Sequence, residues 1–351
     1  MNPLHATLAD LVAISSVTGN EGRLCTAIAE RLTPSWRLDG VVRVGNSLVV
    51  GARTGRPLVT LYGHIDTVPE QGNGGGRVES DRMYGLGTSD MKAGVAVMIH
   101  LLEDDEVRRG PFDVVGVFYD KEEGRAADNG LEEVLERIEW LTNADMAVVM
   151  EPTANRLELG CNGVLNADVV FHGVAAHSAR PWLGDNAITK AGAWLAALHV
   201  REPELVELHG LVFREVFSVT TATGGVATNV LPARFTVNLN YRFPPIYSLE
   251  EAETRLRQVA AAADEVTVKD RAPAGGIPEG NPLLDALEAA LATEVSAKQG
   301  WTDVARLTAR GIPAVNYGPG LPDMAHQAGE YVPLANLDES LGKLRGFLTA
   351  G

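Results

Sequence analysis

Short apolar runs in this chain alternate with segments of helical apolar spacing and stop abruptly at polar or glycine residues. Runs of this kind are typical of strands buried on both faces, and parallel strands need helices to connect them. The sequence therefore predicts an α/β fold in which a mostly parallel sheet is covered by helices. The predicted strands lie at 57–62, 114–119, 147–150 and 313–317, and a predicted helix covers 91–102.

Residues 163–270 show a different pattern, in which alternating apolar positions indicate half-buried strands. Ser248 and Glu251 form a capping-box pattern that begins a helix predicted to end at Ala263. The element order strand-helix-strand-strand-helix-strand is that of a ferredoxin-like α+β unit. We therefore expect a main domain of residues 1–162 and 271–351, with residues 163–270 inserted. The inserted strands are predicted at 164–171, 214–223, 235–243 and 265–269, and the first inserted helix at 186–199.

Composition narrows the classes of function. The chain has 46 acidic and 30 basic residues, a net charge of −16, and so negative a surface repels phosphate backbones. No apolar run approaches the ~18 residues of a membrane span. The N-terminus lacks the basic and apolar segments of a secretory signal, and the two cysteines, Cys25 and Cys161, fit a reducing compartment. We expect a cytoplasmic protein without nucleic-acid or membrane partners.

Candidate catalytic and metal-binding residues follow the predicted strands. The carboxyl ends of parallel strands meet at one edge of a sheet, so we expect these side chains to lie close together. Histidines and carboxylates without cysteine suit Zn²⁺ and, less tightly, Co²⁺ or Mn²⁺. The candidates are His64 and Asp66 after the first strand, Asp90 before the helix, then Glu122, Glu123, Glu151 and, in the loop after the last strand, His326.

The residue types fit a pair of metal ions. Two divalent ions about 3.5–4 Å apart need a shared carboxylate between them. One residue of the pair Glu122 and Glu123 can bind metal while the other takes a proton from water. Asp66, two residues after His64, is placed to accept the second ring N–H and fix the tautomer. Each motif alone also fits a structural role, such as a turn histidine or a solvated acidic loop, and only their joint position favours a metal site.

Five short motifs occur together in this chain: GHIDTVP at 63–69, GLGTSDMK at 85–92, EEG at 122–124, EPT at 151–153 and AH at 325–326. In this order and spacing they resemble the motifs of the aminoacylase/carboxypeptidase-type dinuclear zinc hydrolases. The resemblance extends from near residue 10 to the C-terminus. The resemblance implies that His64, Asp90 and Glu151 bind one metal ion. It implies that Asp90 bridges to a second ion, held also by Glu123 and His326. Zinc is expected first, with cobalt or manganese as alternatives.

The same resemblance assigns the reaction chemistry. It makes Glu122 the general base and then the acid, and Asp66 the residue that orients His64. It makes the inserted unit a lid that dimerises, in which His177 stabilises the oxyanion; a surface-loop histidine is the structural alternative. Asn229 would contact substrate, although its Gly-Gly neighbourhood fits a hairpin turn equally well.

Five stretches resemble the succinyl-diaminopimelate desuccinylase branch of this family, in its actinobacterial-like form: residues 118–123, 160–163, 177–188, 241–244 and 300–306. That branch implies hydrolysis of N-succinyl-L,L-diaminopimelate, a lysine and cell-wall precursor. The alternatives are an acetylornithine deacetylase, an aminoacylase, a dipeptidase and a catalytically inactive binding homologue. The sequence departs from the branch's pattern at Lys121 and in the short loop after Gly320. The substrate's three carboxylates suit guanidinium groups, although each arginine has an alternative as a surface ion-pair partner. The predicted substrate-binding residues are Arg180, Asn229, Arg242, Thr302 and Arg306.

Overall fold

The chain divides near Gly160 and Gly276 in the computed structural model, which describes residues 2–36 and 40–350. The main unit comprises Met1–Gly160, Gly276–Ser296 and Thr302–Gly351, and the inserted unit comprises Cys161–Gly275 and Ala297–Trp301. The strands of the described residues are β1 Val41–Val44, β2 Ser47–Val50, β3 Leu58–His64, β4 Arg77–Glu79, β5 Arg82–Tyr84, β6 Asp113–Tyr119, β7 Met146–Val149, β8 Leu157–Leu159, β9 Gly163–His172, β10 Glu204–Leu208, β11 Leu211–Gly224, β12 Arg234–Phe243, β13 Glu265–Ala272, β14 Val295–Ala297, β15 Ala314–Asn316 and β16 Tyr331–Pro333. The α-helices there are α1 Pro3–Ala13, α2 Gly22–Trp36, α3 Ala93–Glu103, α4 Asp105–Arg109, α5 Gly130–Arg137, α6 Ala187–Lys190, α7 Gly192–His199, α8 Leu249–Val259, α9 Pro282–Leu291, α10 Val304–Ala309 and α11 Leu334–Thr349.

Parallel strands form the centre of the main sheet. Strand β3 is parallel to β6 on one side and to β7 on the other, and β7 is also parallel to β15. Every residue of β3, β6 and β7 is buried, as expected for parallel strands covered on both faces. The predicted α/β fold with a mostly parallel sheet is confirmed. The full strand order is β1-β2-β6-β3-β7-β15-β8-β14.

Helix α3 lies deep in the main unit, where it packs against α1, α2, α11 and strands β3 and β6. The apolar spacing predicts a helix from Met91, whereas the regular helix begins at Ala93. The preceding residues, Thr88–Lys92, form an irregular turn with a cis Asp90–Met91 peptide bond. Met91 is buried in this turn, so its apolar character extended the predicted helix. No helix of the described residues is both long and apolar enough to cross a membrane.

The inserted unit has an antiparallel sheet of strand order β10-β11-β12-β9-β13. Along the chain, β9, α6 with α7, β11, β12, α8 and β13 follow the predicted ferredoxin-like order, and the capping box at Ser248 is present. The predicted helix at 186–199 breaks at Ala191 into two helices. Edge strand β10 was not predicted because its sequence lacks apolar alternation, and Leu205 within it is 64% exposed. The core of this unit is rich in aromatic residues, among them Phe171, Trp194, Phe217, Phe235, Tyr241 and Phe243.

A small sheet of order β16-β5-β4 joins two distant parts of the main unit. Tyr331 pairs with Tyr84 and Pro333 pairs with Arg82 in an antiparallel register. The pairing places the segment before β16, which carries His326, beside the segment after β5, which leads to Asp90. Residues separated by more than 200 positions in the sequence therefore lie next to each other.

Gly94 allows α3 to approach the end of β7. A Cβ at this position would lie 2.4 Å from the carbonyl oxygen of Met150, the residue before Glu151. Since that neighbour is backbone, we expect Gly94→Ala to lower the free energy of unfolding by about 1–3 kcal/mol. Urea denaturation measures the change. Gly342→Ala in α11 is the matched control, because a Cβ there meets nothing within 4 Å; equal stability of Gly94→Ala and wild type would contradict this packing.

Candidate metal centre

Three strand ends of the main sheet bring acidic and histidine side chains together. His64 is the last residue of β3 and pairs with Tyr119, so the segment after β6 begins beside it. His64, Asp90 and Glu151 each offer one ligand atom, and these three atoms lie within 4.8 Å of one another. The same holds for Asp90, Glu123 and His326, and for His64, Glu122 and Glu123. The structure thus brings together the candidates predicted to follow the strands.

Asp90 presents its two carboxylate oxygens to two different histidines. Oδ1 lies 3.1 Å from His64 Nε2, and Oδ2 lies 3.6 Å from His326 Nε2. His326 Nε2 is also 2.9 Å from the Glu123 carboxylate. A carboxylate shared in this way is the arrangement that two neighbouring divalent ions require.

The orientation of His64 is set by its second nitrogen. Nδ1 donates to the backbone oxygen of Asp66 over 3.1 Å, and the Asp66 carboxylate oxygen Oδ1 is 3.5 Å away. With the ring proton on Nδ1, the lone pair of Nε2 faces the Asp90 carboxylate. Two lone pairs in contact are unfavourable unless a cation or a proton lies between them. The donor set and its geometry therefore fit a divalent metal ion.

The Asp66 carboxylate itself holds the backbone of the glutamate pair. It accepts the N–H groups of Glu122 over 3.0 Å and of Glu123 over 3.1 Å, and the Thr18 hydroxyl over 2.8 Å. Burial acts to raise the pKa of Asp66, but contact with His64 and these hydrogen bonds outweigh it and lower the pKa. Asp66 therefore positions the backbone of Glu122 and Glu123, in addition to its predicted contact with His64.

The electrostatics of the cluster follow from crowded carboxylates. Burial raises the pKa of Glu122 well above its ordinary value; His64 opposes the rise, and the carboxylates of Glu151, Asp303 and Glu123 add to it. For His64, burial lowers the pKa, but hydrogen bonds to Asp66 and Asp90 raise it well above its ordinary value. Contact with Glu123 raises the pKa of His326 to about 9. A site this rich in negative charge is suited to cations.

Two predicted substrate-binding residues of the main unit are enclosed. The side chain of Thr302 is buried. The Arg306 guanidinium contacts Glu132, and its Nε lies 2.7 Å from Asp303. These contacts match the structural alternative for Arg306, as an ion-pair partner, and substrate binding by both residues stays a prediction.

The remaining predicted residues belong to the inserted unit. His177 and Asn229 lie on neighbouring exposed loops, where Ser178 N donates to Asn229 O over 2.9 Å. His177 Nδ1 accepts the N–H of Ala179 over 3.1 Å, which places the ring proton on Nε2. Arg180 is exposed, whereas Arg242 is half-buried on β12, and its Nε donates to Asn240 over 3.1 Å.

Sequence reasoning missed two buried acids of the main unit. Asp303 is fully buried and accepts the Asn129 amide over 3.1 Å, and burial raises its pKa. Glu330 is 2% exposed, and burial raises its pKa to about 7, although backbone N–H groups oppose the rise. Asp303 lies inside the stretch 300–306 that resembles the desuccinylase branch. Glu330 follows His326 by four residues and carries no local signal of its own.

Comparisons with known proteins agree with this geometry. The family model described as peptidase family M20/M25/M40 matches residues 60–350. A Mycobacterium tuberculosis (strain H37Rv) protein, provisionally named succinyl-diaminopimelate desuccinylase DapE, is 40% identical over 99% of this chain and 98% of its own. The Corynebacterium glutamicum succinyl-diaminopimelate desuccinylase is 38% identical over 97% of this chain and 94% of its own.

Among solved structures, the aminopeptidase PepT from Bacillus cereus superposes with a TM-score of 0.77 at 19% identity, covering 99% of this chain and 97% of its own. That likeness shows the fold. The sequence matches confirm the predicted family resemblance and the predicted class of metal-dependent amide hydrolase, and the family together with the ligand clusters supports divalent ions at this centre. The chain belongs to peptidase family M20/M25/M40.

Proposed function

We propose that this chain hydrolyses N-succinyl-L,L-diaminopimelate to succinate and L,L-diaminopimelate. The observation that carries amide hydrolysis is the Asp90 carboxylate, which belongs to two clusters of ligand atoms beside the half-buried Glu122. The substrate rests on the two relatives of that name, which match along nearly the whole chain. Acetylornithine, other N-acyl amino acids and dipeptides are the competing substrates.

The proposed ligands divide between two ions. His64, Asp90 and Glu151 would hold one divalent ion, and Asp90, Glu123 and His326 would hold the other. Zinc suits this set of imidazole and carboxylate donors, and we propose it for both positions. When bound, such ions polarise the carbonyl of the substrate and stabilise the negative charge that develops on its oxygen.

Glu122 moves the proton in this proposal. Its carboxylate accepts a proton from the attacking water and delivers it to the amine nitrogen as the carbon–nitrogen bond breaks. Burial and neighbouring carboxylates raise its pKa, which supplies the basicity that this transfer needs. Asp66 supports the step because its carboxylate holds the backbone N–H groups of both Glu122 and Glu123.

We propose that the inserted unit acts as a lid, for which the sequence predicts residues 163–270, with residues 1–162 and 271–351 as the main domain. His177 supports this role because its Nε2–H is available to donate to an oxyanion. Arg180, Asn229 and Arg242 would bind the substrate carboxylates, together with the predicted Thr302 and Arg306 of the main unit.

We further propose that the active form is a cytoplasmic homodimer joined through the inserted unit. Large apolar side chains are exposed there, and exposed apolar surface is typical of an interaction site. Among them are Trp182, which is 75% exposed, Leu183 at 63% and Val226 at 90%.

The substrate is tested by comparing kcat/KM for N-succinyl-L,L-diaminopimelate and N-acetyl-L-ornithine with zinc-loaded protein. We expect a preference of about a hundredfold or more for the succinyl compound. Acetylornithine lacks carboxylates that this site would pair with guanidinium groups, and each guanidinium left unpaired costs roughly 1–3 kcal/mol of binding free energy. Glu122→Gln serves as the blank. Equal rates, or a preference for acetylornithine, would contradict the substrate assignment.

Metal content distinguishes the proposed shared ligand, Asp90, from the proposed general base, Glu122. Asp90→Ala should lose both ions, because both ligand clusters share this carboxylate. Glu122→Ala should keep about two ions per chain and lose turnover, because its proposed role is proton transfer. Elemental analysis after dialysis measures the content. Retention of two ions by Asp90→Ala would exclude the bridging role, and loss of metal from Glu122→Ala would exclude its assignment as the base.

The role of His177 is tested by its effect on kcat. Loss of an oxyanion donor should lower kcat by roughly 10²–10³-fold in His177→Ala, with a smaller change in KM. His199→Ala, an exposed histidine of α7 in the same unit, is the matched control and should behave as wild type. An unchanged kcat in His177→Ala would return this residue to the surface-loop interpretation.

A further inference from the structure

The buried carboxylate of Glu330 binds the backbone of the segment that carries Asp90. One oxygen, Oε1, accepts the N–H of Ser89 over 2.7 Å and the N–H of Asp90 over 3.0 Å. The other oxygen, Oε2, accepts the N–H of Gly87 over 2.8 Å. Three N–H groups within four residues thus converge on one acidic side chain.

This segment needs an external acceptor because its backbone is irregular. Gly87 has φ of 78°, and Asp90 has φ of −120° and ψ of 93°, outside the helical region. N–H groups in such a turn cannot all bond within a helix, and buried N–H groups without an acceptor are costly. An anion is the strongest acceptor for converging N–H groups.

Glu330 also belongs to the segment that carries His326. The two segments are joined by further bonds, in which Gly85 N donates to Glu330 O over 3.0 Å and Ser89 Oγ donates to Tyr331 O over 2.7 Å. The acid therefore ties the turn that presents Asp90 to the stretch that presents His326, whose imidazole faces Asp90.

We propose that Glu330 is a positioning residue, which holds Asp90 at the distance from His326 that two metal ions require. The inference rests on the proposed function, in which Asp90 is the shared ligand. A glutamine at 330 has the same shape but can replace only one of the two acceptor oxygens. Its amide N–H₂ group would then face an N–H donor, so the turn would be without one of its hydrogen bonds and would shift.

Metal binding tests this role directly in Glu330→Gln. Outer hydrogen-bond partners of metal ligands typically contribute 10–100-fold to metal affinity, so we expect zinc to bind at least tenfold more weakly in competition with a chromophoric chelator. The cobalt-loaded variant should show a changed visible spectrum, because the ligand geometry changes. Turnover should fall mainly through kcat.

Asp113→Asn is the matched control. Asp113 is a fully buried acid of the main unit that accepts the N–H groups of Thr54 and Gly55, at the opposite end of β6 from Tyr119. It should keep wild-type zinc affinity and the wild-type cobalt spectrum. Equal losses in Asp113→Asn and Glu330→Gln would overturn the proposal, because they would reflect general destabilisation.

Two further variants make every outcome decisive. If Glu330→Gln does not fold, Ser89→Ala removes a milder link between the same segments and should weaken zinc binding by a few fold; unchanged affinity there would overturn the proposal. Wild-type affinity and spectrum in a folded Glu330→Gln would overturn it as well. Asp90→Ala distinguishes failure of the proposed metal centre from failure of the positioning role of Glu330. If Asp90→Ala keeps both ions, the proposed metal centre is wrong. If Asp90→Ala loses both ions while Glu330→Gln keeps them, only the positioning role is wrong.

Discussion

The Asp90 carboxylate faces two histidines, and this arrangement sets the geometry of the whole centre. His64 ends a strand of the parallel sheet, whereas His326 lies in a loop more than 250 residues later. The parallel sheet sets the position of His64, and the small sheet of β16, β5 and β4 brings the His326 segment to the same place. Because Asp90 faces both imidazoles, a displacement of this one carboxylate would disturb both ligand clusters.

Burying so many acids costs free energy unless each finds a partner. Three buried acids of the main unit have such partners: Asp66 and Glu330 accept backbone N–H groups, and Asp303 pairs with Arg306. The acids proposed as ligands lie close to histidine nitrogens and to one another. Negative charge is therefore concentrated at the strand ends, while the hydrogen bonds of Asp66 and Glu330 hold the backbone beside it.

The fold alone does not determine the substrate. An aminopeptidase shares this fold at 19% identity, and one fold can host sites for different substrates. Discrimination must come from side chains that meet the variable part of the substrate. Arg180 is exposed on a loop of the inserted unit, where a ligand can reach it, whereas Arg306 is ion-paired with carboxylates of its own unit.

Local patterns in the chain were enough to predict the central strands, most of the helices, the ferredoxin-like insertion and the identity of the residues at the strand ends. These follow from apolar periodicity and from the rule that parallel strands end at one edge, so the sequence alone groups His64, Glu122 and Glu151. Which atoms meet became known only from the folded chain. There the carboxylate of Asp66 holds the glutamate backbone, Arg306 is ion-paired, and Glu330 binds a turn 240 residues away in the chain. Such contacts join segments with no shared local pattern, and their geometry exists only once the sheets have brought those segments together.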